Sequence, residues 1–191
     1  MVKILQKGDA ALRAIARPVP REDIDSPKIG KIISTMKKAM RAEEDAVAIA
    51  APQIGESLRI FIVSGKTLAL IGKEKEGSPE TGADKQDKQK EVLPDLVFIN
   101  PKVLRISKKT HMLEEGCLSV RWLYGDVRRA EKVTVQACDE KGNLFTRGAS
   151  GLLAQIFQHE TEHLDGKLFI DKAMNIKELP PKELKEKRHA H

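Results

Sequence analysis

The segment IFQHETEHLDG, residues 156–166, contains two histidines four positions apart, with a glutamate directly after the first. Residues at this spacing lie one turn apart on the same face of an α-helix, so His159 and His163 can reach one metal ion together. Apolar residues on two sides of the segment predict a buried helix, in which a pair of hydrogen-bonded core histidines is an equally ordinary arrangement. The motif alone leaves metal binding and simple core packing both open.

The helix that carries this segment is expected to begin near Ser150 and to end near Gly166. A glycine commonly follows the last turn of a helix because it adopts a positive φ without strain. Leu152 and Ile156 precede His159 by seven and three residues, so they fall on the same helical face as the histidines.

A divalent metal site needs a third protein ligand, and the residues after the helix supply no good one. Phe169 stands where a metzincin motif would have its third histidine. Glu178 and Glu183, the candidates for a thermolysin-like site, lie in a short segment interrupted by prolines. Cys117, in LEEGCLS at 113–119, follows a glycine that allows a tight turn, and its thiolate is a credible ligand.

The composition is that of a single globular domain. The chain has 191 residues, of which 40% are hydrophobic and 32% charged, and this suffices for a soluble protein with a buried core. Its two cysteines, Cys117 and Cys138, are too few for a disulfide framework, which favours a reducing compartment. Cys138 lies in an alternating strand segment, where a small buried side chain is the simpler interpretation.

Charge and hydropathy narrow the range of partners. The formal net charge of +6 is spread along the chain, which favours a basic solvated surface over a nucleic-acid interface. No apolar run approaches the roughly 20 residues that a membrane-spanning helix needs. We therefore expect no membrane partner and no specific nucleic-acid partner.

Local sequence patterns predict an α+β fold. In DSPKIGKIISTMKKAM, residues 25–40, Ser26 is a good N-cap and Pro27 a good first helical residue, which predicts an N-terminal helix. Strand segments with turn signals between them are predicted at LRIFIV (58–63), LVFIN (96–100), VLRI (103–106) and KVTVQAC (132–138), the last followed by a hairpin turn at 141–143. Strands followed by one strongly apolar helix predict bent antiparallel or mixed sheets packed around a central buried helix.

Two charged segments are expected to lie outside the packed core. Residues 73–91 contain one apolar residue among mixed charges and predict a surface loop inserted between two strands. Residues 172–191 are charged, contain two prolines and predict a short C-terminal tail. The remainder, 1–171, is predicted to be one domain.

Three segments occur in a fixed order: AIAAPQIG at 48–55, EEGCLS at 114–119 and QHETEHLDG at 158–166. Together they resemble peptide deformylase, an HExxH metallohydrolase that removes the formyl group from the initiator methionine of new polypeptides. The similarity extends to ILQKGDAALRAIARPV at 4–19 and FINPKVL at 98–104, and it covers most of the chain apart from the charged loop and the tail. Three motifs in the correct order and spacing are much more specific than one, and the resemblance makes residues 1–171 a catalytic domain.

The resemblance implies one divalent metal ion held by Cys117, His159 and His163, with one position left for water. In this family the native ion is usually ferrous iron, and zinc, nickel or cobalt can replace it. Cysteine and histidine suit several of these metals, so the spacing of the ligands does not choose among them. The bound ion would lower the pKa of its water and supply hydroxide near neutral pH.

The resemblance also implies the catalytic groups. Glu160 matches the glutamate that takes the proton of the water as a general base and returns it to the leaving amine as a general acid. The side-chain N–H of Gln53 and the backbone N–H of Leu118 match the groups that stabilise the oxyanion formed at the formyl carbon. The products would be formate and a free N-terminal methionine.

A substrate peptide is expected to bind in an extended conformation along a strand edge at Ala48 and Ile49, opposite the residues after Cys117. Leu152 and Ile156 are expected to line the pocket for the methionine side chain, although either residue would serve equally as plain core.

The chain departs from the family pattern at the rim of the expected cleft. The first motif usually has two glycines where this chain has Ala46 and Ala48, and a methyl group there could crowd the peptide or strain a positive φ. Arg121 replaces the usual proline and is followed by Trp122, and Gln155 adds a polar group near the methionine pocket. These changes are expected to alter substrate affinity and selectivity more than the chemistry.

Two rival functions stay open at this point. One is a related metallohydrolase that acts on another acylated amine; the other is a catalytically impaired ribosome- or RNA-associated protein with a structural metal, suggested by the basic segment 177–191. For the deformylase, the expected partners are formyl-methionyl nascent peptides, with transient ribosome contact. A monomer in a bacterium-like cytoplasm is expected, and an organellar origin is also compatible with the sequence.

Overall fold

The structure of the chain, a computed structural model, describes residues 2–76 and 93–180. These residues form three α-helices and eight β-strands, which confirms the predicted α+β class. The helices are α1 (Pro27–Arg41), α2 (Gly65–Glu76) and α3 (Gly151–Leu164). The strands are β1 (Ala48–Ala50), β2 (Ile60–Val63), β3 (Leu96–Ile106), β4 (Thr110–Gly116), β5 (Leu123–Ala130), β6 (Lys132–Cys138), β7 (Leu144–Ser150) and β8 (Met174–Glu178). Among the helices described, none is both long and apolar enough to cross a membrane.

The strands form two sheets. The larger has the order β1-β2-β3-β6-β7 and the smaller the order β4-β5-β8, and neighbouring strands in both are antiparallel. Helix α3 contacts β1, β2, β6 and β7 of the larger sheet and β5 of the smaller one. The histidine motif therefore lies on a helix that joins the two sheets.

Helix α3 begins after Ser150 and ends at Leu164, as predicted. Its buried Phe157 packs against Phe61 and Phe98, whose rings are stacked with centroids 4.4 Å apart. Gly166 follows the helix with a φ of 69°, and a Cβ at this position would lie 2.5 Å from the carbonyl oxygen of Arg13. Only glycine fits there, since both the backbone conformation and the space exclude a side chain.

Helix α1 also forms where the sequence predicts it. The Ser26 hydroxyl accepts a hydrogen bond from the N–H of Ile29, and Pro27 occupies the first turn. The apolar stripe of the helix is buried against the larger sheet, and it consists of Ile29, Ile32, Ile33, Met36 and Met40.

The prediction of two separate strands at 96–100 and 103–106 was wrong. The chain instead forms one long strand, β3, whose pairing with β6 shifts register between Ile99 and Lys102, around Pro101, and again between Val103 and Arg105. Asn100 adopts a φ of 53°, and its side chain bonds both the N–H and the carbonyl of Val19. The irregularity accommodates a proline, which cannot donate to a strand ladder, without ending the strand.

The prediction of a charged loop at 73–91 was wrong for its first four residues, because residues 73–76 form the last turn of α2. The sequence reasoning missed this helix, although its start carries a capping signal: the Ser64 hydroxyl accepts a hydrogen bond from the N–H of Thr67 at 3.1 Å. The rest of the predicted loop, from residue 77, lies outside the described residues.

The predicted domain boundary after residue 171 was also wrong. Residues 174–178 form β8, which pairs with β5 and completes the smaller sheet. All five residues of this strand are exposed, so no buried alternating face was available to predict it. Backbone pairing holds it in place, together with the Lys177–Glu114 ion pair. The tail prediction for 181–191 lies outside the described residues.

Candidate active site

A cleft of about 260 Å³ opens between the two sheets. One wall is β1 with the segment before it, the opposite wall is the turn that follows β4, and the floor is the first three turns of α3. Gln53 and Glu160 line the inner end of the cleft. Asp45 and Trp122 line its outer end.

The inner end of the cleft brings together the three residues predicted as metal ligands. The thiol of Cys117 and one ring nitrogen each of His159 and His163 lie within 4.8 Å of one another. The Cys117 Sγ is 3.2 Å from His163 Nε2. Gly116 allows the chain to enter this turn, because a Cβ there would lie 2.5 Å from the ring of Tyr124. One thiol and two imidazoles form a donor set that zinc, iron and other transition metals accept.

A buried ion-pair network orients His159. Its Nδ1 lies 3.0 Å from Glu115 Oε2, and Glu115 is held by two hydrogen bonds from Arg129, at 2.6 and 2.7 Å. Burial opposes the ionised form of Glu115, but the hydrogen bonds from Arg129 and His159 lower its pKa to about 2. An ionised carboxylate can only accept, so Nδ1 of His159 is the donor and Nε2 is free to bind a metal.

The sequence reasoning missed Glu115 and Arg129. Glu115 could have been found, because it lies two residues before the cysteine ligand and a ligating histidine usually donates to a carboxylate or carbonyl. Arg129 carried no such signal; it is 1% exposed and also bonds Glu162, which in turn pairs with Lys172. Glu162 replaces the aspartate usual in the motif, and the structure places it in this network.

Glu160 is 4% exposed and faces the cleft. Its Oε2 has no hydrogen-bond partner among the residues that the structure describes. Burial raises the pKa of Glu160 to about 7. An unpartnered carboxylate beside three candidate metal ligands is suited to exchanging a proton with a water molecule or a substrate.

The amide N–H groups of Gln53 also point into the inner end of the cleft, towards Cys117 and Ser119. Its Oε1 accepts the N–H of Ala50 at 2.8 Å, which fixes the orientation of the amide, and its Nε2 donates to Ser119 Oγ at 3.1 Å. The same Nε2 lies 3.6 Å from Cys117 Sγ. Leu118 lines the cleft between these two residues of the turn. Ser119, which is fully buried, is a third residue that the sequence reasoning missed.

The predicted substrate-binding residues divide into two groups. Ala48, Leu152 and Ile156 line the cleft, with Ile156 buried and Leu152 44% exposed. Ile49 does not line it: its side chain is fully buried in the aliphatic core on the opposite face of β1. Side chains alternate between the two faces of a strand, so Ile49 can contact a peptide in the cleft only through its backbone.

Strand β1 presents an open edge to the cleft. It is the first strand of the larger sheet, and within residues 2–76 and 93–180 it pairs on one side only, with β2. The N–H of Ser64 donates to the carbonyl of Val47 at 3.0 Å, which makes Val47 and Ser64 a hydrogen-bonded pair. Because such pairs alternate along an antiparallel ladder, the backbone groups of Ala48 point away from β2 and towards the open edge.

Comparison with known proteins agrees with this geometry. The profile of the polypeptide deformylase family matches residues 1–179. The chain belongs to this family. Among curated relatives, the peptide deformylase of Carboxydothermus hydrogenoformans is 37% identical over 91% of this chain and 94% of its own length. The peptide deformylase of Neisseria meningitidis is 34% identical over 100% of this chain and 98% of its own length. The chloroplastic peptide deformylase 1A of Solanum lycopersicum is 40% identical over 90% of this chain, which spans 59% of that protein.

Solved deformylase structures share the fold. The Met-Ala-Ser-bound class I type b peptide deformylase from Acinetobacter baumannii has a TM-score of 0.72 and 30% identity, over 90% of this chain and 99% of that one. The Synechococcus elongatus enzyme in complex with actinonin has a TM-score of 0.72 and 31% identity, over 97% of this chain and 84% of that one. Polypeptide deformylases are metal-dependent hydrolases that remove the N-formyl group from new polypeptides.

The alanines that replace the usual deformylase glycines are not strained. Among the described residues, the non-glycine positions with positive φ are Asn100 and Asn175. Ala46 and Ala48 therefore have ordinary negative φ values, and only the bulk of their methyl groups distinguishes this cleft wall from one built with glycine.

Proposed function

We propose that this chain is an active deformylase, which hydrolyses the formyl group from the N-terminal methionine of new polypeptides. One observation carries the proposal above all others: the three metal-binding side chains, Glu160 and the amide of Gln53 converge at the inner end of a cleft whose wall is an open strand edge. This is the arrangement that hydrolysis of an amide at a peptide terminus requires.

The metal ligands in this proposal are Cys117, His159 and His163. Their donor set fits a divalent transition metal, and ferrous iron is the ion we assign, with zinc, nickel or cobalt as functional substitutes. When bound, such an ion lowers the pKa of a water molecule and polarises the carbonyl of the substrate. Glu115 keeps His159 in the tautomer that binds through Nε2, and burial lowers the pKa of His163 well below its usual value, which keeps that ligand neutral.

Glu160 would act as the proton carrier. Its carboxylate takes a proton from the attacking water and then gives it to the nitrogen of the leaving methionine. A residue directly after a ligand on the same helix is close enough to the reacting water without binding the ion itself. Its raised pKa makes it basic enough to accept the proton and still acidic enough to return it.

Gln53 and Leu118 would stabilise the negative charge that develops on the formyl oxygen. The amide of Gln53 is held by Ala50 and Ser119, so its N–H groups are already oriented before substrate arrives. Donors fixed in this way lower the barrier because they do not have to reorganise during the reaction.

The peptide chain would pair with the edge of β1 at Ala48, with the methionine side chain against Leu152 and Ile156. Burial of a methionine side chain contributes about 1.5–3 kcal/mol. The Acinetobacter baumannii relative has been solved with Met-Ala-Ser bound, which is a peptide of the type we assign to this cleft.

We further propose that the chain acts as a monomer on nascent peptides, with transient contact to the ribosome. Its curated relatives include bacterial enzymes and a chloroplastic one, and both settings start proteins with formyl-methionine. A bacterium-like cytoplasm is the compartment we assign.

The test is a comparison of two acyl groups. Protein loaded anaerobically with ferrous iron is given formyl-Met-Ala-Ser or acetyl-Met-Ala-Ser, and the released acid is measured. We expect rapid formate release and little or no acetate. Faster hydrolysis of the acetyl peptide would instead identify an amidohydrolase with altered acyl specificity. Tight salt-dependent RNA binding with hydrolysis of neither peptide would favour the binding-protein alternative.

A further inference from the structure

At the outer end of the cleft, Arg121 joins the two walls. Its Nη1 lies 2.6 Å from Asp45 Oδ2, and its Nη2 lies 3.1 Å from Asp45 Oδ1 and 2.8 Å from Glu43 Oε2. The two acids precede β1 on one wall, whereas Arg121 belongs to the turn after Cys117 on the other wall. Asp45 and Arg121 both line the cleft.

This charge cluster is more ordered than a surface ion pair. The Arg121 side chain is 18% exposed, those of Asp45 and Glu43 are 28% and 40% exposed, and the guanidinium carbon lies 4.6 Å from the centre of the Trp122 ring. A planar guanidinium held by two hydrogen bonds to one carboxylate and by an aromatic ring has little freedom to move. One cation faces two anions, so the cluster has a formal net charge of −1.

The position of the cluster relative to a substrate rests on the proposed function. The formyl group must lie at the inner end, near Gln53 and the metal ligands. Gln53 follows β1 in the chain and Asp45 precedes it. A peptide paired with the edge at Ala48 therefore leaves the cleft towards Asp45 and Arg121, and the residues after its methionine meet the charge cluster.

We propose that Arg121, together with Asp45 and Glu43, determines specificity for the charge of the substrate residues that follow the formyl-methionine. Arg121 offsets part of the negative charge of the two carboxylates, so that the wild-type cleft prefers basic over acidic residues less strongly than the two acids alone would. A proline, usual at this position in the family, could not balance either acid. The cluster thus broadens the range of nascent chains that this cleft accepts.

The experiment measures kcat and KM for formyl-Met-Ala-Lys, formyl-Met-Ala-Glu and formyl-Met amide with the iron-loaded protein. Arg121→Ala removes one positive charge from the outer end of the cleft, so the preference for the Lys peptide over the Glu peptide should rise roughly fivefold, the size expected for a partly exposed charge pair. The change should lie in KM, and it should shrink as salt is raised. Turnover of formyl-Met amide, which is too short to reach the cluster, should stay within about twofold of the wild type, since it makes no contact that the substitution removes.

Three further variants provide a test that does not depend on whether Arg121→Ala folds. Glu43→Gln with Asp45→Asn should shift the preference in the opposite direction, towards the Glu peptide, and Arg121→Lys should keep the wild-type ratio. Arg13→Ala removes a comparable two-bond pair with Asp171 outside the cleft, and it should leave the ratio unchanged.

Unchanged Lys-to-Glu ratios in Arg121→Ala and in the double variant would overturn the inference while leaving the proposed function intact. An equal loss of turnover on all three substrates would also overturn it, since the cluster would then serve only to hold the walls together. If the wild type hydrolysed none of the three substrates, the proposed function itself would fall, and the inference with it.

Discussion

The two ends of the cleft are built in different ways. At the inner end, Glu115, Arg129, Glu160 and His163 are each 5% exposed or less, and every one of them except Arg129 lies within two residues of a proposed metal ligand or is one. At the outer end, Arg121 and Asp45 are half-buried and in contact with solvent. The chain matches the deformylase motifs at the inner end and departs from them at the outer end. The difference suggests that the inner end determines the chemistry, whereas the outer end adjusts which peptides reach it.

The largest effect is expected from Glu160→Ala. Loss of the proton carrier should lower kcat by roughly 10²–10⁴-fold, the usual contribution of a general acid–base, while the three ligands still bind metal. Formate release and metal content measured on the same sample separate the two effects. Glu140→Ala, which removes an exposed carboxylate paired with Lys37, is the control and should behave like the wild type. Full turnover by Glu160→Ala would remove this residue from the mechanism.

The two cysteines should differ sharply in metal binding. Cys117→Ser removes a proposed ligand, so metal affinity should fall by more than the roughly 10–100-fold that loss of an outer hydrogen-bond partner causes. Cys138→Ser alters a half-buried residue at the end of β6, far along the chain from the motifs, and should leave the metal content unchanged. Metal analysis after dialysis against a weak chelator provides the measurement. Loss of metal from Cys138→Ser instead would mean that the wrong thiol has been assigned.

A buried and an exposed ion pair can be compared to test how burial changes the contribution of a pair to stability. Arg129→Met removes the buried cation that pairs with Glu115 and Glu162, so the free energy of unfolding should fall by about 3–5 kcal/mol. Arg13→Met breaks the exposed pair with Asp171 and should cost about 1 kcal/mol or less. Urea unfolding of both variants at the same metal loading gives the comparison. Similar losses in the two variants would contradict the view that the inner end is stabilised by its buried network.

The smallest effect is expected at the cleft wall. Ala48→Gly restores the glycine usual in deformylases, so a peptide backbone can approach more closely and KM should fall less than tenfold with kcat unchanged. The substitution should also cost about 0.5–1 kcal/mol of stability, as glycine does in a strand. Ala137→Gly, in the buried part of β6, is the control, with the same stability loss and no change in KM. A large drop in kcat for Ala48→Gly would show that the rim takes part in the chemistry.

Local sequence signals predicted the elements that bury an apolar face. The stripe of α1 and the two-sided apolar pattern of α3 correspond to helices, and the sequence placed the start of α1 at Ser26 and the end of α3 before Gly166 correctly. Strand β8 and helix α2 were missed, since all five residues of β8 are exposed and α2 ends in a run of charged residues. Their positions depend on contacts with distant parts of the chain.

The same distinction applies to the site. Cys117 could be proposed as a ligand from its own motif, and the structure brings it to His159 and His163. Arg129 could not be proposed, because its role lies in contacts with Glu115 on the neighbouring strand and with Glu162 on α3, which no local pattern reveals. Ile49 was predicted as part of the strand edge that binds the peptide, and the alternation of β1 directs its side chain into the core, which leaves only its backbone for that role.

The central claim is that one metal ion at the inner end supports deformylation despite the altered rim. Its most direct test is an anaerobic titration of metal-free protein with ferrous iron, in which formate release from formyl-Met-Ala-Ser is followed as the ion binds. We expect a rate that rises in proportion to bound iron, saturates at one ion per chain and reaches roughly 1–10³ s⁻¹ at saturating peptide. One tightly bound ion per chain with no formate released would contradict it.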